Sequence, residues 1–129
     1  MTPQNRNQRG RRAWRDGHRN EWWAALYLMA KGYQILGFRL KTRRAEIDIL
    51  ARKGPFLVAV EVKSRITLDM AEVSLHPEQQ QRLIEAVNQL GRSRPSLKHL
   101  QPRLDLIALS PRRFPRHIRG LVSREREWL

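Results

Sequence analysis

Apolar and polar residues alternate with a period of two over residues 45–51 and again over 56–62, on either side of Lys53-Gly54-Pro55. That alternation predicts two β-strands, because successive strand side chains point to opposite faces. The glycine-proline pair predicts the turn between them. Glu46 and Asp48 then share one face of the first strand. Glu61 and Lys63 share one face of the second, with Val58, Val60 and Val62 on the other.

The rest of the pattern surrounds this hairpin. Trp22 to Ala30 is apolar without a break, which predicts a helix over 17–31 stopped by Gly32. A helix apolar on nearly all sides is expected to pack on more than one side, with Trp22 and Trp23 read as core in preference to base-stacking or subunit-interface residues. Glu21, Ala24, Ala25 and Leu28 fall on one face. Residues 33–41 read as a first strand, and 64–77 lack a period and read as a loop. Residues 78–92 read as a helix with Pro77 at its start and Leu83, Ile84, Val87 and Leu90 as its buried stripe. A strand over 103–109 and a short one over 117–122 follow. The expected class is α/β, with strands 1 to 3 in an antiparallel meander and the second helix crossing back to add the fourth. The domain is expected over 17–122, between a basic arm over 1–16 and a tail over 123–129.

Charge narrows the partner. The chain has 129 residues and a formal net charge of +14. A field of that sign points first to nucleic acid and second to an anionic membrane surface. No apolar run is long enough to span a bilayer. The first twenty residues are arginine-rich without an apolar stretch, so they do not read as a secretory leader. With no cysteine, thiol chemistry, disulfides and cysteine zinc sites are excluded. A cytoplasmic protein is the expectation. The four histidines do not fall at metal-ligand spacing and are given no role.

The hairpin carries the candidate chemistry. Two carboxylates about 5 Å apart repel by about 3 kcal/mol at an effective dielectric near 20. Lys63 offsets part of this, and a divalent cation would offset more, since Mg²⁺ prefers carboxylate, water and phosphate oxygens. Two readings stay open on spacing alone: a cation site, or an edge hairpin whose charges face water. Glu21 is either a third acidic ligand or a residue favoured by the helix dipole. The cations near the hairpin, Arg39, Lys41, Arg43 and Arg44, and Arg65 beyond it, either hold phosphate or are solvated. The same holds for Arg11, Arg12, Arg82, Arg112 and Arg113.

Gly17-x-x-x-Glu21, Glu46-Ile47-Asp48 and, twelve residues on, Glu61-Val62-Lys63 resemble the YraN-like family of small bacterial proteins. That family is placed in the PD-(D/E)XK nuclease superfamily and is similar to archaeal Holliday-junction resolvases. The resemblance covers roughly residues 17–109 and extends to Gly32-Tyr33, Arg82-Leu83 and Arg103-x-Asp105. It implies a restriction-endonuclease-like core of order α-β-β-β-α-β, a mixed sheet flanked by helices. It implies an endonuclease acting on structured or branched DNA, with RNA left open, in which Asp48 and Glu61 hold one or two Mg²⁺ or Mn²⁺ ions. The main-chain carbonyl of Val62 would be a further ligand, Glu21 would complete the shell and Glu46 would be an accessory acid. Lys63 would orient the attacking water or stabilise charge on the phosphate. A homodimer is a further expectation, because a four-way junction has two-fold symmetry. Ala45 stands where the family usually has glycine, and Gln79 where it often has lysine. The competing function is a non-catalytic nucleic-acid-binding module that keeps the nuclease fold.

Overall fold

The computed structural model describes residues 20–121. The basic arm, the C-terminal tail, Gly17, Arg11 and Arg12 lie outside that range. Helix α1 covers residues 20–30. It is followed by β1 (Gln34–Lys41), β2 (Glu46–Lys53), β3 (Phe56–Ser64), α2 (Leu68–Val73), α3 (Pro77–Ser93), a 3-10 turn (Pro95–Leu97), β4 (Gln101–Leu109) and β5 (Arg116–Ile118). The strands form one sheet in the order β1-β2-β3-β4-β5. β1/β2 and β2/β3 are antiparallel, β3/β4 is parallel and β4/β5 is antiparallel. This is the mixed α/β arrangement expected of a restriction-endonuclease-like core, with α2 and β5 added.

Both faces of the sheet are covered, so its central strands carry near-continuous apolar runs. On one face Leu83, Ile84, Ala86 and Val87 of α3 meet Leu50, Leu57, Ala59, Leu104 and Leu106. On the other, Ala24, Ala25 and Leu28 of α1 and Tyr33 meet Ile49, Ala51, Val58, Val60 and Ile107. Each large aliphatic side chain so buried contributes about 1.5–3 kcal/mol. The alternation of β3 is therefore the predicted one. Leu57 and Ala59 face α3 and Val58 and Val60 face α1, and the same period carries Glu61 and Lys63 to the α3 side.

Two local devices set these elements. Gly54, with φ of 55°, and Pro55 form the hairpin loop between the paired residues Lys53 and Phe56. Glycine at the first loop position is what a type II′ turn asks for. At the end of α1, Tyr33 N–H donates to Leu28 O and Gly32 N–H to Met29 O, each at 3.0 Å. This pair of bonds is a Schellman motif closed on a left-handed glycine, and it drops Tyr33 onto the core.

Two expectations fail. Residues 64–77 are not all loop, because they hold α2, capped at its start by Thr67, whose side chain accepts the Met70 N–H. Six residues with only Ala71 buried leave no period to read. Trp22 and Trp23 are not core, since each is 60 % exposed. The face of α1 that meets the sheet is Ala24, Ala25 and Leu28, and Trp22, Trp23, Leu26 and Met29 point away from it.

Candidate active-site cleft

Registered β2/β3 pairs run from the turn up to Ile49 and Val60. One residue further the backbone ladder is replaced by a side chain: Asp48 Oδ2 accepts the Val62 N–H at 2.9 Å. This fixes the Asp48 carboxylate against the strand that carries Glu61. Glu61 is only 5 % exposed, on the α3 side of the sheet. Its Oε2 accepts a hydrogen bond from Gln79 Nε2 at 3.1 Å. Burial, then the hydrogen bond and negative charge of Asp48, push the Glu61 carboxyl up to about 9, with Lys63 opposing and Glu21 adding to the rise.

These groups line a cleft of about 560 Å³, together with Glu21, Glu46, Val62, Lys63, Arg44 and Arg82. α1 supplies Glu21, whose Oε2 takes Arg39 Nη1 at 2.5 Å. Arg39 holds that position with φ of 48°, a region L-residues rarely occupy. Arg44 and Arg82 at the rim make long, exposed ion pairs with Glu85 and Glu78, at 3.5 and 3.9 Å. Such pairs contribute little to stability, so both cations stay accessible to an anion.

The predicted basic residues divide. Arg44 and Arg82 border the cleft. Arg39 turns inward to Glu21. Lys41 and Arg43 stand over the middle and end of α3, near Gln89 and Ser93. Arg65 donates to Ser64 O, and Arg112 and Arg113 line a second groove beside α1.

Among the described residues, no group of three or more acidic or histidine side chains is spaced as a metal cage. The donor set still suits a hydrated divalent cation, because Mg²⁺ is commonly held by one or two carboxylates and substrate phosphate. A carboxyl raised by burial and by an acidic neighbour is one that a cation would favour in its ionised form.

Two features escaped the sequence reading. Gln79 donates a hydrogen bond to Glu61 itself, so this position bears on the acidic pair. The second is a polar cluster on the α1 side of the sheet. Asp105, with no exposed surface, accepts hydrogen bonds from Tyr33, Arg103, His117 and the Gly120 N–H. Lys31 Nζ lies 2.6 Å from His117 Nδ1. A lysine ammonium only donates, so Nδ1 accepts and Nε2 carries the proton toward Asp105. Burial raises the Asp105 carboxyl, but the hydrogen bonds from His117 and Arg103 outweigh it and hold the carboxyl below its ordinary value. An aspartate inside the run Leu104 to Leu109, two residues from an arginine, was the available signal, since a buried charge needs partners.

The family model described as "Uncharacterised protein family UPF0102" matches residues 20–109. The chain belongs to the UPF0102 (YraN) family. It is 50 % identical over 113 residues to a UPF0102 protein of Caulobacter vibrioides, covering 88 % of this chain and 90 % of that one. A UPF0102 protein of Chelativorans sp. is 42 % identical over 112 residues, covering 87 % and 90 %. The UPF0102 protein Atu0303 of Agrobacterium fabrum is 38 % identical over 117 residues, covering 91 % and 96 %. The stretch matched by the UPF0102 model contains every lining residue of the acidic cleft.

Proposed function

We propose that this UPF0102 protein is a metal-dependent endonuclease hydrolysing phosphodiester bonds in structured or branched DNA. The observation that carries the reading is the pairing of Asp48 with Glu61 in a cleft that also holds Lys63 and is rimmed by Arg44 and Arg82. Asp48 and Glu61, with the Val62 carbonyl, would hold one or two Mg²⁺ or Mn²⁺ ions. Such an ion supplies a water of lowered pKa and positive charge against the phosphate.

The chain's own groups do the rest. Lys63 sets fixed positive charge where the phosphoryl oxygens become more negative. Glu61, whose carboxyl is pushed up to about 9 by burial and Asp48, would hold such an ion as the carboxylate. Arg44 and Arg82 grip backbone phosphates, which positions a strand without reading its sequence. The Val62 N–H keeps the Asp48 carboxylate in place through the cycle. Glu21, held by Arg39, supports the negative potential of the cleft.

One observation favours a second reading, a non-catalytic nucleic-acid-binding module that keeps the nuclease fold: among the described residues no group of three or more acidic or histidine side chains is placed to hold a metal ion. Incubation with Mg²⁺ or Mn²⁺ and four-way, flapped, single-stranded and duplex DNA separates the two. Cleavage of a branched substrate, lowered about a hundredfold or more by Asp48→Asn or Lys63→Ala, supports the nuclease. Intact substrates that are nonetheless bound overturn it in favour of the module.

A further inference from the structure

A second groove, of about 640 Å³, runs between α1 and the loop from Leu109 to Pro115. It shares Asn20 with the acidic cleft, and Ser64, the neighbour of Lys63, lines it. The two depressions are therefore adjacent along the end of β3. The walls of the second are mostly apolar, with aromatic and basic side chains among them. Trp23 comes from α1, and Phe114, Arg112 and Arg113 come from the loop. Phe114 is 91 % exposed, so nothing in the fold uses its ring.

The loop is held in place. Arg65 N–H donates to Leu109 O at 3.1 Å, and Ser110 Oγ donates to Ile66 O at 2.6 Å. Arg113 N–H closes a turn onto Ser110 O at 3.3 Å, with Pro111 second and Arg112 third. Arg112 has φ of 62°. That turn position is normally glycine's, and an arginine there is strained. Strain on a well-anchored surface loop is characteristic of a binding element.

Charge and shape select the occupant. A second copy of the chain would bring another +14 against a basic wall. Nucleic acid offers phosphates to the arginines and base faces to the aromatic rings. A paired duplex keeps its base faces stacked inside, whereas unpaired nucleotides expose them. We propose that this groove binds unpaired nucleotides, with Trp23 and Phe114 stacking on bases and Arg112 and Arg113 contacting phosphates. A strand leaving a duplex would then run from the groove past Ser64 to Lys63. The preferred substrate is DNA with a single-stranded arm at a branch. This extends the nuclease reading, but the binding it predicts needs no metal and no cleavage.

The test is fluorescence anisotropy in EDTA with a labelled oligothymidylate and a labelled blunt duplex. Phe114→Ala and Trp23→Ala each weaken oligothymidylate binding by about tenfold and leave duplex binding unchanged. Arg112→Gly weakens it too while raising the melting temperature, since glycine relieves the turn. A merely structural arginine would not move those two readouts in opposite directions. If Trp23→Ala does not fold, Phe114→Ala and Arg112→Gly carry the test. Unchanged oligothymidylate binding, or an equal fall on the duplex, overturns the proposal. So does a wild-type dimer that becomes monomeric on Phe114→Ala, which would make the groove a subunit interface. A protein that binds oligothymidylate through these residues and cuts nothing with Mg²⁺ overturns the nuclease reading alone.

Discussion

The carboxylate of Asp48 takes the place of a backbone carbonyl, accepting the Val62 N–H at 2.9 Å where the β2/β3 ladder stops. It satisfies a strand and also brings a second negative group against buried Glu61. These two effects have opposite signs for stability. Asp48→Asn keeps an acceptor and removes the charge, whereas Asp48→Ala removes both. Losing the acceptor costs about 1–3 kcal/mol if the Val62 N–H stays unsatisfied. Asp48→Asn is therefore expected to melt above Asp48→Ala, and above wild type in metal-free buffer once the pH exceeds about 9 and Glu61 is ionised. Thermal melts of the three proteins check it.

Glu61 makes the fold itself pH-dependent. Its carboxyl lies at about 9 in the folded chain against an ordinary 4.5. The folded state then binds a proton that the unfolded state has released. The associated stability is full below the ordinary value and is lost as pH rises through the window up to about 9. Each pH unit within that window costs at most about 1.4 kcal/mol. Glu61→Gln removes this slope and is expected to outlast wild type above neutrality. Guanidinium melts at about pH 5 and about pH 8 measure it, and parallel pH dependences for the two proteins would refute it.

The same proton reports on the metal. If Glu61 is protonated at neutral pH, a divalent cation binding there displaces that proton. Calorimetric titration of Mn²⁺ in two buffers of unlike ionisation enthalpy should show close to one proton released per site. Affinity should rise with pH up to about 9. Identical heats in the two buffers would mean that no proton leaves the site on binding.

Gln79 gives a handle on that carboxyl without replacing Glu61. Gln79→Lys sets a cation about where Nε2 now lies, 3.1 Å from Glu61. The Glu61 carboxyl should fall toward its ordinary value and the pH slope of stability should flatten. Mn²⁺ binding should weaken, because part of the negative charge is already met. Proton release on titration, compared with wild type, reads this directly.

How far these features were legible in the sequence follows from the range of the forces involved. The alternation of Leu57 to Lys63 set which residues face α3, because that period is local to one strand. It did not fix the Asp48–Val62 bond, which depends on where the ladder ends. α2 was too short for a period. The run Trp22 to Ala30 showed a helix, and its Ala24, Ala25 and Leu28 face reads as a buried stripe and is one; uninterrupted hydrophobicity did not show that Trp22 and Trp23 stay outside. His117 had no recognisable spacing because its partners, Lys31 and Asp105, lie 86 and 12 residues away.

That last cluster makes the sharpest separation between fold and function. Asp105 ties together β4, β5 and the segment after α1 through Tyr33, Arg103, His117 and Gly120. Replacing it leaves the part-buried Arg103 guanidinium without its carboxylate, and breaking a buried pair in this way costs about 3–5 kcal/mol. Asp105→Ala should lose that much in denaturant melts. Tyr33→Phe removes one hydrogen bond donor and should lose about 1 kcal/mol. The cluster lies on the α1 side of the sheet, whereas Glu61 and Lys63 face α3. At a temperature where Tyr33→Phe is folded, its Mn²⁺ affinity should therefore equal that of wild type. A weakened metal site in Tyr33→Phe would show that the two sides of the sheet are coupled.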